Sequence, residues 1–300
     1  MKAERVHQLT AHSAALYALA VGNESNPLFS GGSDKVVALW NIEDGEVLPF
    51  AIRTEETIYS LCNINDMYLC VGTIRGSIHI IDLKSKSEIK HLKLHDDGVF
   101  HLLFDPISNR VYASSADGSI SIWDVQDWTL LWHLKLGADK VRRLALNGDS
   151  SLLAITGGNG KLFILETTEH RIIHEVEAHE LSTNSVAFLG DSKIVSGGKD
   201  AYIRIWNLHG GMEMVKEIPA HNYAVYDIVV NQSDGWVATA SRDKTVKIWD
   251  LEFEELPLRL DRAKADGHIN SVNRLLWIPE SGVLASCSDD RSIITWKIQH

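Results

Sequence analysis

Four sets of a hydroxyl, an imidazole and a carboxylate recur along this 300-residue chain: Ser30 with His12 and Asp34, Ser196 with His179 and Asp200, Thr239 with His221 and Asp243, and Ser286 with His268 and Asp290. Such a trio is the equipment of a nucleophilic hydrolase, in which the carboxylate orients the imidazole and the imidazole deprotonates the hydroxyl. The spacing, however, is the same each time. The hydroxyl stands four residues before the carboxylate, the imidazole 21 or 22 residues before it, and an indole (Trp40, Trp206, Trp249 or Trp296) six residues after it. An enzyme needs one site, so fourfold repetition points to a scaffold element.

Other chemistry is weaker. His170, His174 and His179 invite a metal, but RIIHEVEAH alternates as a strand, which sets His170 and His174 about 13 Å apart at about 3.3 Å per residue. The pairs Gly31-Gly32, Gly157-Gly158 and Gly197-Gly198 lack the lysine and hydroxyl of a phosphate loop. Cys62, Cys70 and Cys287 form no CxxC pair. Cys62 and Cys70 can face each other across a hairpin turning at Asn65-Asp66, either as a pair or, as expected in a reducing compartment, as two buried thiols. No metal and no cofactor are expected.

What must position these residues is a repeat. The phrases SGGSDKVVALWN, VGTIRGSIHIID, SSADGSISIWD, TGGNGKLFILE, SGGKDAYIRIWN, TASRDKTVKIWD and SCSDDRSIITWK place Trp40, Ile81, Trp123, Leu165, Trp206, Trp249 and Trp296 at intervals of 41 to 47 residues. Within each period, β-branched and aromatic residues alternate between Gly, Asn and Asp turns, which reads as four short strands with no room for a helix. Four strands per period of about 40–45 residues is the blade of a β-propeller. The expectation is an all-β, seven-bladed propeller of four-stranded antiparallel blades occupying 1–300 as one domain. The last unit ends at its third strand, SIITWKIQH, and one spare strand, Arg5 to Leu9, precedes His12. The N-terminal strand should therefore complete the last blade.

The chain resembles the WD-repeat family along its whole length. The resemblance rests on Trp123-Asp124, Trp249-Asp250, the Trp-Asn pairs at 40 and 206, and Gly267-His268 with its relaxed forms Ala11-His12, Leu94-His95, Ala178-His179 and Ala220-His221. It implies that the four sets are buried hydrogen-bonded tetrads in which Asp orients His, His meets the hydroxyl, and the hydroxyl accepts from the indole. Blade 3 departs at Ala113, where the hydroxyl should be. Blades 2 and 4 lose the set together, carrying Arg75 with Ile81 and Asn159 with Leu165, and are expected to hold by apolar packing alone.

In such a fold the fifth residue after each His slot falls near the channel mouth on the face that also carries the turn aspartates. These residues are Tyr17, Tyr59, Phe100, Arg142, Asn184, Tyr226 and Asn273, and Lys199, Arg242, Arg274 and Asp289 adjoin them. Aromatics gather on blades 1 to 3 and cations on blades 4 to 7, a surface for a peptide or protein partner carrying an apolar anchor and acidic or phosphorylated groups. A cage for a methylated or cationic peptide, with Glu55, Glu56 and Asp289 as its acids, is the alternative for the same aromatics. A channel-mouth hydrolase or metal-assisted enzyme using His101, Asp227 and Arg143 is the rival of another class. With 29 Lys and Arg against 40 Asp and Glu, the net charge of −11 disfavours nucleic acid and anionic membranes. No apolar run reaches the roughly 18 residues of a membrane span. The expectation is a cytoplasmic, non-enzymatic adaptor, monomeric within a hetero-complex.

Overall fold

The computed structural model describes residues 1–22, 27–137, 139–279 and 281–299. They form a seven-bladed β-propeller of four-stranded antiparallel sheets. The innermost strands, which surround the channel, are Leu16–Val21, Ile58–Ile64, Val99–Asp105, Val141–Leu146, Thr183–Leu189, Val225–Asn231 and Val272–Ile278. In the seventh sheet the outer position is taken by Lys2–Leu9, which pairs with Ile293–Gln299 from Lys2 opposite Gln299 to Leu9 opposite Ile293. This strand is longer than the spare strand read from the sequence. Leu9 is buried in the apolar cluster where the seventh blade meets the first, beside Leu16, Ile278 and Cys287.

The core is divided rather than central. One apolar cluster lies at each of the seven junctions between neighbouring blades, such as Ile58 and Val71 against Phe29 and Val37. Strand alternation produces this, because successive side chains point to opposite faces of a blade and both faces of the inner strands meet a neighbour.

The hairpin before each third strand turns on a residue with positive φ: Lys35, Gly76, Gly118, Gly160, Ala201, Lys244 and Arg291. At Gly76 and Gly160 a Cβ would lie 2.1 and 2.3 Å from the carbonyl oxygens of His95 and His179, so glycine is required by space as well as by φ. The preceding carboxylate or amide caps the turn, as where Asp243 accepts from Thr245 N–H and Asn159 from Lys161 N–H. One departure from the strand-only reading occurs. A single helical turn, Arg262–Ala265, capped by Asp261, fills the longest interval, between Trp249 and Trp296.

Candidate functional site

The structure brings each set of four together. Trp40 Nε1 donates to Ser30 Oγ at 2.7 Å, Ser30 Oγ meets His12 Nε2 at 2.7 Å, and His12 Nδ1 meets Asp34 at 2.7 Å. The chains Trp206–Ser196–His179–Asp200, Trp249–Thr239–His221–Asp243 and Trp296–Ser286–His268–Asp290 repeat this with links of 2.8–3.0 Å. With a neutral His protonated at Nδ1, every donor in the chain has an acceptor. Burial lowers the proton affinity of His221, and the bond to Asp243 opposes this only in part. Burial alone would raise the Asp243 carboxyl, but hydrogen bonds from His221, Thr245 and Asn222 hold it well below the usual carboxylate range. These hydroxyls are fully buried and each is bonded to at least two partners, which makes them hubs of the blades and not exposed nucleophiles.

Blade 3 keeps a hub from another residue. Ser121 lies directly across the ladder from Ala113 and accepts from Trp123 Nε1 at 2.8 Å, while its Oγ meets His95 Nε2 at 2.9 Å. Ser119 then links His95 Nδ1 to Asp117. Blades 2 and 4 carry Val71 and Ile155 in the hydroxyl slot, packed with Ile81 and Leu165. Packing is not all that blade 2 has: Thr73 donates to Glu56 at 2.6 Å beside Arg75.

The channel mouth is built by a bulge repeated seven times. Each inner strand shifts register just after its first residue, as between Leu16 and Ala18, Ile58 and Ser60, or Val99 and His101. The extra residue escapes the ladder and is re-aimed. In six blades the shift falls on Tyr17, Tyr59, Phe100, Asn184, Tyr226 and Asn273, and in blade 4 it spans Arg142 and Arg143. The first six and Arg142 line one open cavity of about 430 Å³, joined by Arg274 and Asp289. Tyr17 and Tyr59 meet edge to face at 5.4 Å, Tyr59 and Phe100 are 5.4 Å apart, and the Arg142 guanidinium sits 5.2 Å over the Phe100 ring. Gly98 leaves room for Tyr59, since a Cβ there would be 3.0 Å from the ring. Arg142 Nε is buried without a partner, and burial lowers the guanidinium's proton affinity. Desolvation, then the neighbouring Tyr17 and Asp97, raise the Tyr59 phenol above its ordinary value. Asn184 and Asn273 donate to the carbonyls of Val225 and Leu16 on the next blade, and Asn273 also to Asp289.

Lys199 and Arg242 lie outside this cavity. Both are exposed, and Arg242 stands 5.9 Å from the Tyr223 ring. The sequence reading also missed three exposed apolar residues, Leu181, Tyr223 and Ile269, on the loops between a tetrad His and its inner strand. Their position one or two residues after the His was the available signal.

Beneath the mouth, His101, Arg143, Asp227 and Arg274 form a polar waist. Asp227 accepts from the N–H groups of Ile228 and Leu275 and lies 3.3 Å from Arg143 and 3.9 Å from Arg274. Leu144 N–H donates to His101 Nδ1 at 3.3 Å. Burial, with Arg143 and Arg274, pushes the His101 imidazole well below its usual value, and burial lowers Arg143 to about 10. Their bonds pin one inner strand to the next.

His170, His174 and His179 do not converge. His170 precedes its strand and stacks on Trp132 at 5.0 Å, His174 lies on the outer strand opposite Ile164, and His179 is buried with Asp200. Cys62 and Cys70 are ladder partners, and all three cysteines are free and buried, with burial pushing the Cys62 thiol up to about 12. Among the described residues no helix is long and apolar enough to cross a membrane.

A family model described as "WD domain, G-beta repeat" matches residues 3–41, 86–124, 170–207, 212–250 and 262–297. Nuclear distribution protein PAC1 of Fusarium vanettenii is 32% identical over 136 residues, 42% of this chain and 29% of its own length. Cell division cycle protein cdt2 of Schizosaccharomyces pombe is 38% identical over 82 residues, 27% of this chain and 17% of its own. Target of rapamycin complex subunit wat1 of the same yeast is 24% identical over 124 residues, 41% of this chain and 38% of its own. The chain thus spans less than a third of the length of the PAC1 protein that it matches.

Proposed function

The chain belongs to the WD domain, G-beta repeat family, and from that premise we propose that it is a non-enzymatic scaffold that holds a peptide segment of a protein partner in its channel mouth. Members of this family generally serve as interaction scaffolds. The observation that carries the reading is the continuous face of Tyr17, Tyr59, Phe100 and Arg142 in an open cavity, ending in a buried guanidinium Nε with no partner. Aromatic surface of limited rotamer freedom supplies an apolar anchor at low entropic cost, and an arginine fork suits a carboxylate or phosphate. The ligand that fits is an acidic or phosphorylated segment with one apolar side chain. The flanking Lys199 and Arg242 would add steering, screened by salt.

A cage for a methylated lysine is less well served. The three aromatics form a row in mutual contact, and Arg142 already occupies the cation position over Phe100. Glu56 is bonded to Thr73, and Asp289 to Asn273. The hydrolase reading finds His101 and Asp227 each accepting a backbone N–H from a neighbouring strand and Arg143 paired with Asp227.

The test is affinity purification with mass spectrometry on the full chain and its Tyr59→Ala/Phe100→Ala variant, with binding of any recovered segment followed as salt is varied. The double variant should lose partners at an unchanged melting temperature, and Arg242→Glu should weaken capture most at low salt. Partners retained undiminished by all three substitutions would move the site to the other face or the rim. Light scattering and imaging of a tagged chain test the monomeric, cytoplasmic part of the reading.

A further inference from the structure

In six of the seven blades the two outermost strands are the third and fourth of their sheet, and in blade 2 these are Ser77–Asp82 and Ser87–Lys93. They pair with His79 opposite His91 and Ile80 opposite Lys90, and then Ile81 opposite Glu88. Ile89 is left over as a bulge. Residues 88 and 91, three apart, would face opposite sides of a regular strand, and the extra residue reverses the alternation between them. Glu88 and His91 thereby arrive on one side, with His79. The imidazoles of His79 and His91 stack at 4.3 Å and 24°, Glu88 Oε1 lies 3.1 Å from His79 Nδ1, and one ligand atom from each residue lies within 4.8 Å of the other two.

We propose that His79, Glu88 and His91 bind one divalent first-row transition cation, with Zn2+ as the ion their chemistry fits. Two imidazoles and a carboxylate form a nitrogen and oxygen donor set suited to zinc, whereas magnesium and calcium favour oxygen alone. Metal–ligand bonds of about 2.0–2.2 Å in tetrahedral array hold their ligand atoms about 3.3 Å apart. The ligand atoms already lie within 4.8 Å of one another, so the site has to close by no more than about 1.5 Å to reach that distance. The Glu88 side chain is 43% exposed, so an ion can enter and the carboxylate can turn. Three protein ligands leave a fourth position for water or for a side chain of another protein, which makes the outer edge of blade 2 a metal-dependent contact distinct from the channel mouth.

Titration calorimetry of the full chain with Zn2+ in a non-chelating buffer tests this, with Co2+ as a spectroscopic probe. One saturable site in the micromolar range is expected, together with the visible bands of low-symmetry Co2+. His91→Ala and Glu88→Gln should each weaken Zn2+ at least about tenfold, the lower bound seen even for outer hydrogen-bonding partners of metal ligands. His209→Ala, at an exposed histidine elsewhere, should leave binding intact. Melting of the metal-free variants checks their folding, and added Zn2+ should raise the melting temperature of the parent but not of His91→Ala. Absence of saturable binding by the parent, or unchanged binding by a folded His79→Gln/His91→Ala variant, overturns the proposal.

Discussion

Replacing Ser121 with Ala removes one oxygen on which two buried groups depend. The Trp123 indole N–H donates to it at 2.8 Å and His95 Nε2 lies 2.9 Å away, both in the packed interior of blade 3. A buried polar group left unpaired costs about 1–3 kcal/mol, so two together give about 2–6 kcal/mol, and a water entering the vacated space brings the expectation to about 2–4 kcal/mol. For a chain of 300 residues that is a fall in Tm of roughly 3–6 °C, read by calorimetry. The revealing experiment adds a second change. Ala113 faces Ser121 across the ladder and occupies the slot held by Ser30, Ser196, Thr239 and Ser286 in other blades. Ala113→Ser in the Ser121→Ala background should therefore restore a hydroxyl to the hub and recover more than half of the lost Tm. If Ser121→Ala melts within about a degree of the parent, or if the second substitution recovers nothing, the hub argument fails.

Deleting Met1 to Leu9 removes the outer strand of blade 7 and the buried Leu9, and should lower Tm well beyond any surface lesion; a deletion melting like the parent would show that the ring does not depend on this closure. Asp243→Ala strips His221, Asn222 and Thr245 of an acceptor and should cost about 2–4 kcal/mol, whereas Asn159→Ala loses one turn bond and should cost about 1 kcal/mol or less; equal shifts in the urea midpoint would refute the tetrad's structural role. Stability should also fall as pH drops below about 6.5. His95, His101 and His221 have lowered proton affinity in the fold, so the unfolded chain binds more protons there; below about 4 the depressed carboxyls of Asp200, Asp243 and Asp290 add a second loss of stability as they protonate. A flat Tm from pH 7 to 5 would contradict the first part.

Blade number and strand order were legible because each blade repeats the same turn chemistry, and a turn is written in adjacent residues. What escaped depends on pairing across the ladder. Ser121 was invisible as a hub because reading slot by slot marks Ala113 as a loss, and only the register shows that the oxygen returns from the facing strand. The Thr73–Glu56 bond of blade 2 joins residues 17 apart, and the His79, Glu88 and His91 cluster depends on a bulge at Ile89 that composition does not announce. Lys199, Arg242 and Asp289 share the position just before a turn aspartate, and of these three only Asp289 lines the cavity, because proximity in sequence to the turn does not say which turn side chains lean toward the channel.

The mouth residues were found by offset alone, without knowledge of the bulge that aims them, and the bulge explains why offset sufficed. A register shift at the same point of seven inner strands delivers whatever side chain stands there to the same ring. The parts of the blade that hold the fold repeat their chemistry, with His, a hydroxyl, Asp and Trp in four copies and an apolar cluster at every junction. The ring carries Tyr, Tyr, Phe, Arg, Asn, Tyr and Asn instead. Junction clusters and tetrads lie within and between the sheets, while Tyr59 and Phe100 project from the ladder into open space. On the reading proposed above, stability and recognition are thereby placed on different atoms of the same strands. If that proposal holds, substitutions at Tyr59 and Phe100 change what binds without touching the bonds that keep the ring closed.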